Sequence, residues 1–148
     1  MATEQQLPPR PSPMVTPESQ PYWDGLRDHQ LLVQQCADCG MLRHYPRPMC
    51  DACYSFEVTW KQLAPSGRIH SWAVSHHPFH LAFKSDVPYI TVTVDMADGI
   101  RLHAPLRGET SQAVAIGQPV RLMFEDIDAT LTLPCFEVDP GDQAGTDD

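Results

Sequence analysis

Cys36-Ala-Asp-Cys39 and Cys50-Asp-Ala-Cys53 decide how this chain is read, because they are two C-x-x-C pairs separated by the ten residues Gly40 to Met49. Each pair offers two thiolates from one tight turn, and four thiolates converging at about 2.3 Å make a closed tetrahedral site for zinc. Gly40 directly follows the first pair and accepts the left-handed backbone in which such a turn ends. The intervening segment has the length of a short hairpin, so the unit reads as a zinc ribbon with Cys36, Cys39, Cys50 and Cys53 as ligands. A disulfide framework is disfavoured, because the opening MATEQQLPPRPSP has neither the basic flank nor the apolar run of an export signal. A redox dithiol would need one C-x-x-C beside a βαβ pattern, and none is visible. The expectation is one structural zinc per chain, since four sulfurs leave no position for a catalytic water. Cys135, between Leu133 and Val138, reads as a buried inert thiol.

Upstream of the ribbon, six prolines (Pro8, Pro9, Pro11, Pro13, Pro17 and Pro21) fall in the first 21 residues, and each removes a donor and restricts its predecessor. Residues 1–18 are therefore expected to be a disordered leader. A short helix follows over 19–30, with Ser19 placed to cap, Pro21 in the first turn, and Tyr22, Trp23 and Leu26 at helical spacing. The ribbon takes 31–57. Downstream, Val58 to Leu63, Arg68 to Ser75, Tyr89 to Asp95, Ile100 to His103, Val120 to Glu125 and Leu131 to Val138 read as strands, with Asp98-Gly99 as a hairpin turn. So few strands with no long helix point to a closed β-barrel over 58–139, because closure removes exposed edges, and the OB-fold suits best. Trp60 and Trp72 are expected in its core. Residues 140–148 are expected to be a disordered acidic tail.

At 148 residues the chain suits one domain, and no run of about 18 apolar residues exists, so a membrane span is excluded and a cytoplasmic location expected. The net charge of −9 is uneven: residues 1–121 carry ten basic against eleven acidic side chains, and everything after Arg121 carries eight acids and no base. An acidic tail on a near-neutral body disfavours nucleic acid, which requires a basic groove with exposed aromatics.

The order and spacing of PYWDGLRDHQLLVQQCADCG (21–40), RHYPRPMCDAC (43–53), SGRIHSWAVSHHPFHLAF (66–83), VPYITVTVDMADGIRLHAPLRG (87–108) and IGQPVRLMFEDIDATLTLPCFEV (116–138) resemble the acyl-CoA-associated zinc-ribbon and OB-fold family, formerly a domain of unknown function. The resemblance implies a mainly β protein: a short N-terminal helix, a rubredoxin-like zinc ribbon, then a five-stranded OB-fold barrel. It also implies a non-catalytic accessory subunit that assembles with a thiolase-like, lipid-transfer-protein-like enzyme acting on acyl-CoA thioesters, such as a steroid side-chain aldolase. A subunit of an acetyltransferase, thiolase or enoyl-CoA hydratase complex is the alternative, and a nucleic-acid-binding OB module stands behind both. No nucleophile, base and orienting residue fall together, so no catalytic residue is assigned.

A coenzyme A thioester would need cations for its phosphates and an apolar strip for its pantetheine arm. The candidate acyl-CoA or partner surface is Arg43 and Arg47 on the ribbon, together with His76, His77, Phe79, His80, Phe83 and Lys84 on the loop between two barrel strands. Trp23 is added as a possible interface anchor, the other reading being that it packs on its own barrel.

Overall fold

A computed structural model describes residues 6–108 and 114–140. The start of the leader, 1–5, and the acidic tail from 141 onward lie outside the described residues. One α-helix, α1 (Gln20–Arg27), precedes eight strands. β1 (Leu31–Cys36), β2 (Leu42–Arg43) and β3 (Val58–Leu63) form a three-stranded antiparallel sheet in the order β2-β1-β3. β4 (Ser66–Ser75), β5 (Tyr89–Met96), β6 (Arg101–Leu106), β7 (Pro119–Asp126) and β8 (Thr132–Val138) close a barrel in the order β4-β5-β6-β8-β7. β6 and β8 are its one parallel pair. The fold is the expected one: mainly β, with a short helix, a cysteine ribbon and a five-stranded OB-like barrel. Among the described residues no helix is long and apolar enough to cross a membrane.

Alternation in the sequence places the barrel core. Val92, Val94 and Met96 on β5, Leu102, Ala104 and Leu106 on β6, and Val120 and Leu122 on β7 are all buried, as every second residue of a strand should be when one face is covered. The reversal at Asp98-Gly99 is present, with both residues at positive φ (59° and 77°), but it spans Met96 to Ile100 and closes with Met96 N–H donating to Ile100 O at 2.8 Å. Gly67 is required for a different reason. It lies where β4 is paired on both sides, and an added Cβ would stand 2.6 Å from Val94 Cγ1 and 2.7 Å from Asp95 O.

Two sequence expectations are corrected here. β3 pairs with β1 along its whole length, Leu31 opposite Leu63 through Cys36 opposite Val58, so it completes the ribbon sheet and the barrel starts at β4. Trp60 consequently sits half-buried on the ribbon sheet, and Trp72 is 42% exposed. Neither is barrel core.

Helix and barrel share one interior. Tyr22 and Leu26 of α1, Leu31 and Val33 of β1 and Leu63 of β3 belong to the same buried cluster as Ile69, Val92, Leu102, Leu122 and Phe136. An eight-residue helix is too short to stand alone, and burying Tyr22 and Leu26 contributes about 1.5–3 kcal/mol each. Ser19 occupies the N-cap position without capping: its hydroxyl is fully buried and bonded to Thr16 instead. The described leader is not isolated either, since Arg10 pairs with Asp86 at 2.7 Å and lies 5.0 Å over the Phe83 ring.

Candidate functional site

The two C-x-x-C turns are built alike. Gly40 N–H donates to Cys36 O and Tyr54 N–H to Cys50 O, both at 2.9 Å, and the residue after each pair is left-handed, Gly40 at φ 77° and Tyr54 at φ 63°. Cys36 N–H then bonds Met41 O, and Cys50 N–H bonds Ser55 O. Ser55 Oγ donates to the Asp38 carboxylate and ties one turn to the other. The second turn carries no glycine to announce its backbone, so only the cysteine spacing marked it.

The four Sγ atoms lie within 4.8 Å of one another, with Cys36 to Cys53 at 3.5 Å and Cys39 to Cys50 at 3.7 Å. Sulfurs at about 2.3 Å from a tetrahedral zinc stand about 3.8 Å apart, whereas a disulfide would need about 2.05 Å. The arrangement therefore fits one four-coordinate metal and no disulfide. Ionisation agrees. The Cys39 backbone amide, first among several donors, pulls the Cys36 thiol down to about 6, and the Cys53 amide lowers Cys50 likewise. Cys53 receives the Ser55 amide, yet its contacts with the Cys36, Cys39 and Cys50 sulfurs hold the proton and push it up to about 12. Four crowded sulfurs cannot all ionise unaided, and a divalent cation supplies the charge that lets them.

Arg43 is corrected from surface cation to internal strut. It is 4% exposed; its Nε donates to Gln34 Oε1 at 2.7 Å and its Nη2 to Arg47 O at 3.2 Å, while Arg47 N–H donates to the same Gln34 oxygen at 2.9 Å. This buried network fixes the segment between the cysteine pairs. Beside it His44 packs against Tyr22 and Tyr45, with ring centroids 5.2 and 5.7 Å away, and burial pushes its pKa down to about 4. Because the folded value lies below the unfolded one of about 6.5, neutral His44 favours the fold fully above that pH, and the contribution is lost as pH falls toward 4. A loss of about 2 kcal/mol is expected by pH 5. His44→Phe keeps the ring and removes the proton, so chemical denaturation at pH 7 and pH 5 should show a smaller acid loss than in the parent. Equal losses in the two would exclude His44 as the source.

The remaining candidates fall into two groups. Arg47 is exposed on the ribbon, and Trp23 is half-buried on α1 with its Nε1 donating to the Tyr45 hydroxyl at 2.9 Å. His76, His77, Phe79, His80, Phe83 and Lys84 all lie on the β4–β5 connection. There Phe79 is 86% exposed, Phe83 is half-buried under Arg10, and His80 Nδ1 accepts the Ala82 N–H at the start of a short 3-10 turn, so His80 has a local structural use. Two clefts link the groups. One of about 300 Å³ is walled by Trp23, His44, Tyr45 and His103, another of about 180 Å³ by Arg10, Phe83 and Tyr89, and Pro105 and Arg107 border both. The sequence reading missed Arg10 and Tyr45, which reach these clefts only through tertiary contacts.

Comparison with known proteins places this geometry. Residues 23–59 match the family described as ChsH2, rubredoxin-like zinc ribbon domain, and residues 60–125 match ChsH2, C-terminal OB-fold domain. A probable enoyl-CoA hydratase alpha subunit of Thermomonospora curvata is 36% identical over 127 residues, 86% of this chain and 39% of that protein. The 3-oxo-4,17-pregnadiene-20-carboxyl-CoA hydratase alpha subunit of Mycobacterium tuberculosis is 33% identical over 120 residues, 78% of this chain and 38% of that one. The chain thus spans about two fifths of the length of these curated relatives. A solved chain of the Ltp2-ChsH2(DUF35) aldolase superposes with a TM-score of 0.78 at 35% identity, covering 86% of this chain and 98% of that one. With the cysteine ribbon and the closed barrel both matched in order, this chain belongs to the DUF35 family and carries the ChsH2-type zinc ribbon and OB-fold.

Proposed function

We propose that this chain is a non-catalytic accessory subunit of a thiolase-like enzyme acting on acyl-CoA thioesters, in the manner of a steroid side-chain aldolase that performs a retro-aldol cleavage. The observation that carries the reading is the match to nearly the whole of one chain of the Ltp2-ChsH2(DUF35) aldolase. In that reading the catalytic groups belong to the partner, and this chain shapes the assembly and the substrate entrance. Cys36, Cys39, Cys50 and Cys53 hold one zinc, whose closed thiolate shell gives it a folding role and no bond to substrate. A cytoplasmic location belongs to the same proposal.

If the thioester's phosphates reach this chain, the cations for them are exposed Lys84 and Arg47, the latter held only loosely by Asp51 at 4.0 Å. Arg43 is enclosed, and Arg101 and Arg107 already answer Asp95 at 2.6 Å and Glu125 at 3.1 Å. The two hydratase alpha subunits favour a second reading, a subunit of an enoyl-CoA hydratase complex.

Purification of the native assembly under non-dissociating conditions, with mass spectrometry of its components, tests the proposal. A stoichiometric thiolase-fold polypeptide is expected, with carbon–carbon cleavage of an acyl-CoA only when both chains are present. A hydratase-fold companion selects the second reading. Recovery of this chain alone defeats both.

A further inference from the structure

We propose that the cleft between α1, the segment joining the cysteine pairs and the barrel wall binds a neutral, carbon-rich molecule by its carbonyl oxygen, which the Tyr22 and Tyr45 hydroxyls hold. The site is made by this chain alone, so the proposal goes beyond the accessory-subunit reading and does not depend on it. Tyr22 carries the argument. It is 3% exposed and lines the cleft, its ring set among those of Trp23, His44 and Tyr45 at centroid distances of 5.1, 5.2 and 5.7 Å. A buried tyrosine oxygen ordinarily finds a hydrogen-bond partner, yet among the described residues this one has none. The side-chain polar atoms that are fully enclosed there without a partner are Arg43 Nη1 and His44 Nδ1. The Tyr22 oxygen is not one of them, so it belongs to the small part of the residue still open, and the space it meets is the cleft.

Tyr45 is prepared in the same way. Its oxygen accepts the Trp23 Nε1–H at 2.9 Å, which leaves its own proton for an acceptor that no described residue supplies. Burial, and after it the neighbouring Tyr45, holds the Tyr22 proton well above the ordinary tyrosine range, so that hydroxyl is a donor at any physiological pH. Two phenolic protons on one wall suit an acceptor oxygen.

The other walls decide what carries that oxygen. Arg107 and Glu125 are the charged side chains of the cleft, and they answer each other at 3.1 Å. His44 is neutral at pH 7, because burial pushes its pKa down to about 4, and His103 is bonded to Thr93 Oγ1 at 3.1 Å. An ionised group brought here would lose water without gaining a free counter-charge. Trp23, Pro105, Leu133 and Pro134 supply apolar surface. A volume of about 300 Å³ with mostly apolar walls and a few placed donors is the make-up of a small-molecule site at the lower end of the usual size range. A neutral ketone with a compact carbon skeleton answers the donors, the charge balance and the volume together.

The test uses the full zinc-loaded chain and three probes of one skeleton: α-tetralone, the hydrocarbon tetralin, and the tetralin carboxylate ion. Calorimetry gives the affinities, and the indole N–H resonances locate the site. The ketone should shift the Trp23 resonance and leave those of Trp60 and Trp72 in place, and the hydrocarbon and the carboxylate should each bind at least fivefold more weakly. Tyr22→Phe should keep its zinc and thermal midpoint, since the hydroxyl bonds nothing within the described protein. It should weaken the ketone fivefold or more while leaving tetralin unchanged, a split that a merely structural role for the hydroxyl would not produce. Leu133→Trp, which fills the cleft from β8, should abolish the Trp23 shift. Equal affinities for ketone and hydrocarbon, or undiminished ketone binding by Tyr22→Phe, overturn the proposal. Tighter binding of the carboxylate overturns the neutral site, and a Trp23 resonance that no probe moves overturns the site itself. In each of these cases the accessory-subunit reading stands, because its own test is the recovered companion chain.

Discussion

Replacing Cys39 by serine is expected to release the metal and to loosen the barrel as well as the ribbon. Three thiolates and a neutral hydroxyl no longer match the charge or the softness of a tetrahedral zinc site. Structural zinc contributes on the order of 10 kcal/mol or more to units of this kind, which is comparable to the whole stability of a typical domain, about 5–15 kcal/mol. Within the two turns the buried side chains are Cys36 and Cys50 themselves, while Cys39 and Cys53 face solvent, so the turns depend on the metal. The effect does not stop at the ribbon. Leu31 and Val33 run up β1 into the same cluster as Ile69 and Phe136, so freeing β1 unpacks one wall of the shared interior. Metal content by mass spectrometry should fall from one zinc per chain to none, the thermal midpoint should drop by tens of degrees or be lost, and a strong chelator should do the same to the parent. Cys135→Ser is the control. Burial pushes the Cys135 thiol up to about 11 and it lies on β8 away from the turns, so that variant should keep its zinc. A Cys39→Ser chain with one tightly bound zinc and an unchanged midpoint would refute the four-sulfur site.

What the sequence made legible follows from how local each constraint is. The metal site could be read directly, because thiolate coordination fixes both residue type and spacing within one turn. The barrel strands could be read from period-two alternation, and the one that was misassigned shows the limit of that signal: alternation says that Val58 to Leu63 is a strand, but not which neighbour it pairs with. Trp72 failed for a related reason. The register shift after Ile69 breaks the alternation, and whether a strand has neighbours on both sides is a property of the closed barrel. Arg43 looked like a surface cation because arginine usually is one; its enclosure depends on Gln34 opposite it on β1. The docking of Arg10 on Asp86 spans 76 residues and leaves no local trace in a proline-rich segment.

Phe136→Ala tests the barrel where its closure is thinnest. β6 and β8 meet at a single register pair, Leu106 opposite Phe136, reinforced by Arg107 N–H donating to Phe136 O at 2.8 Å. On the other side Phe136 stands opposite Leu122 of β7, and its ring is completely buried. Removing that ring takes away its transfer free energy and leaves a void that a seam of one ladder pair cannot collapse to fill, so the cost should be about 3–5 kcal/mol. The thermal midpoint should fall by roughly 10 °C or more. Zinc should stay, because all four sulfurs are carried by the ribbon, outside the barrel strands. Phe79→Ala removes the same side chain from a site that is 86% exposed, and should change stability by less than about 0.5 kcal/mol. The comparison separates burial from residue type: if the two substitutions cost the same, Phe136 does not hold the seam, and the barrel must be closed by its backbone ladders alone.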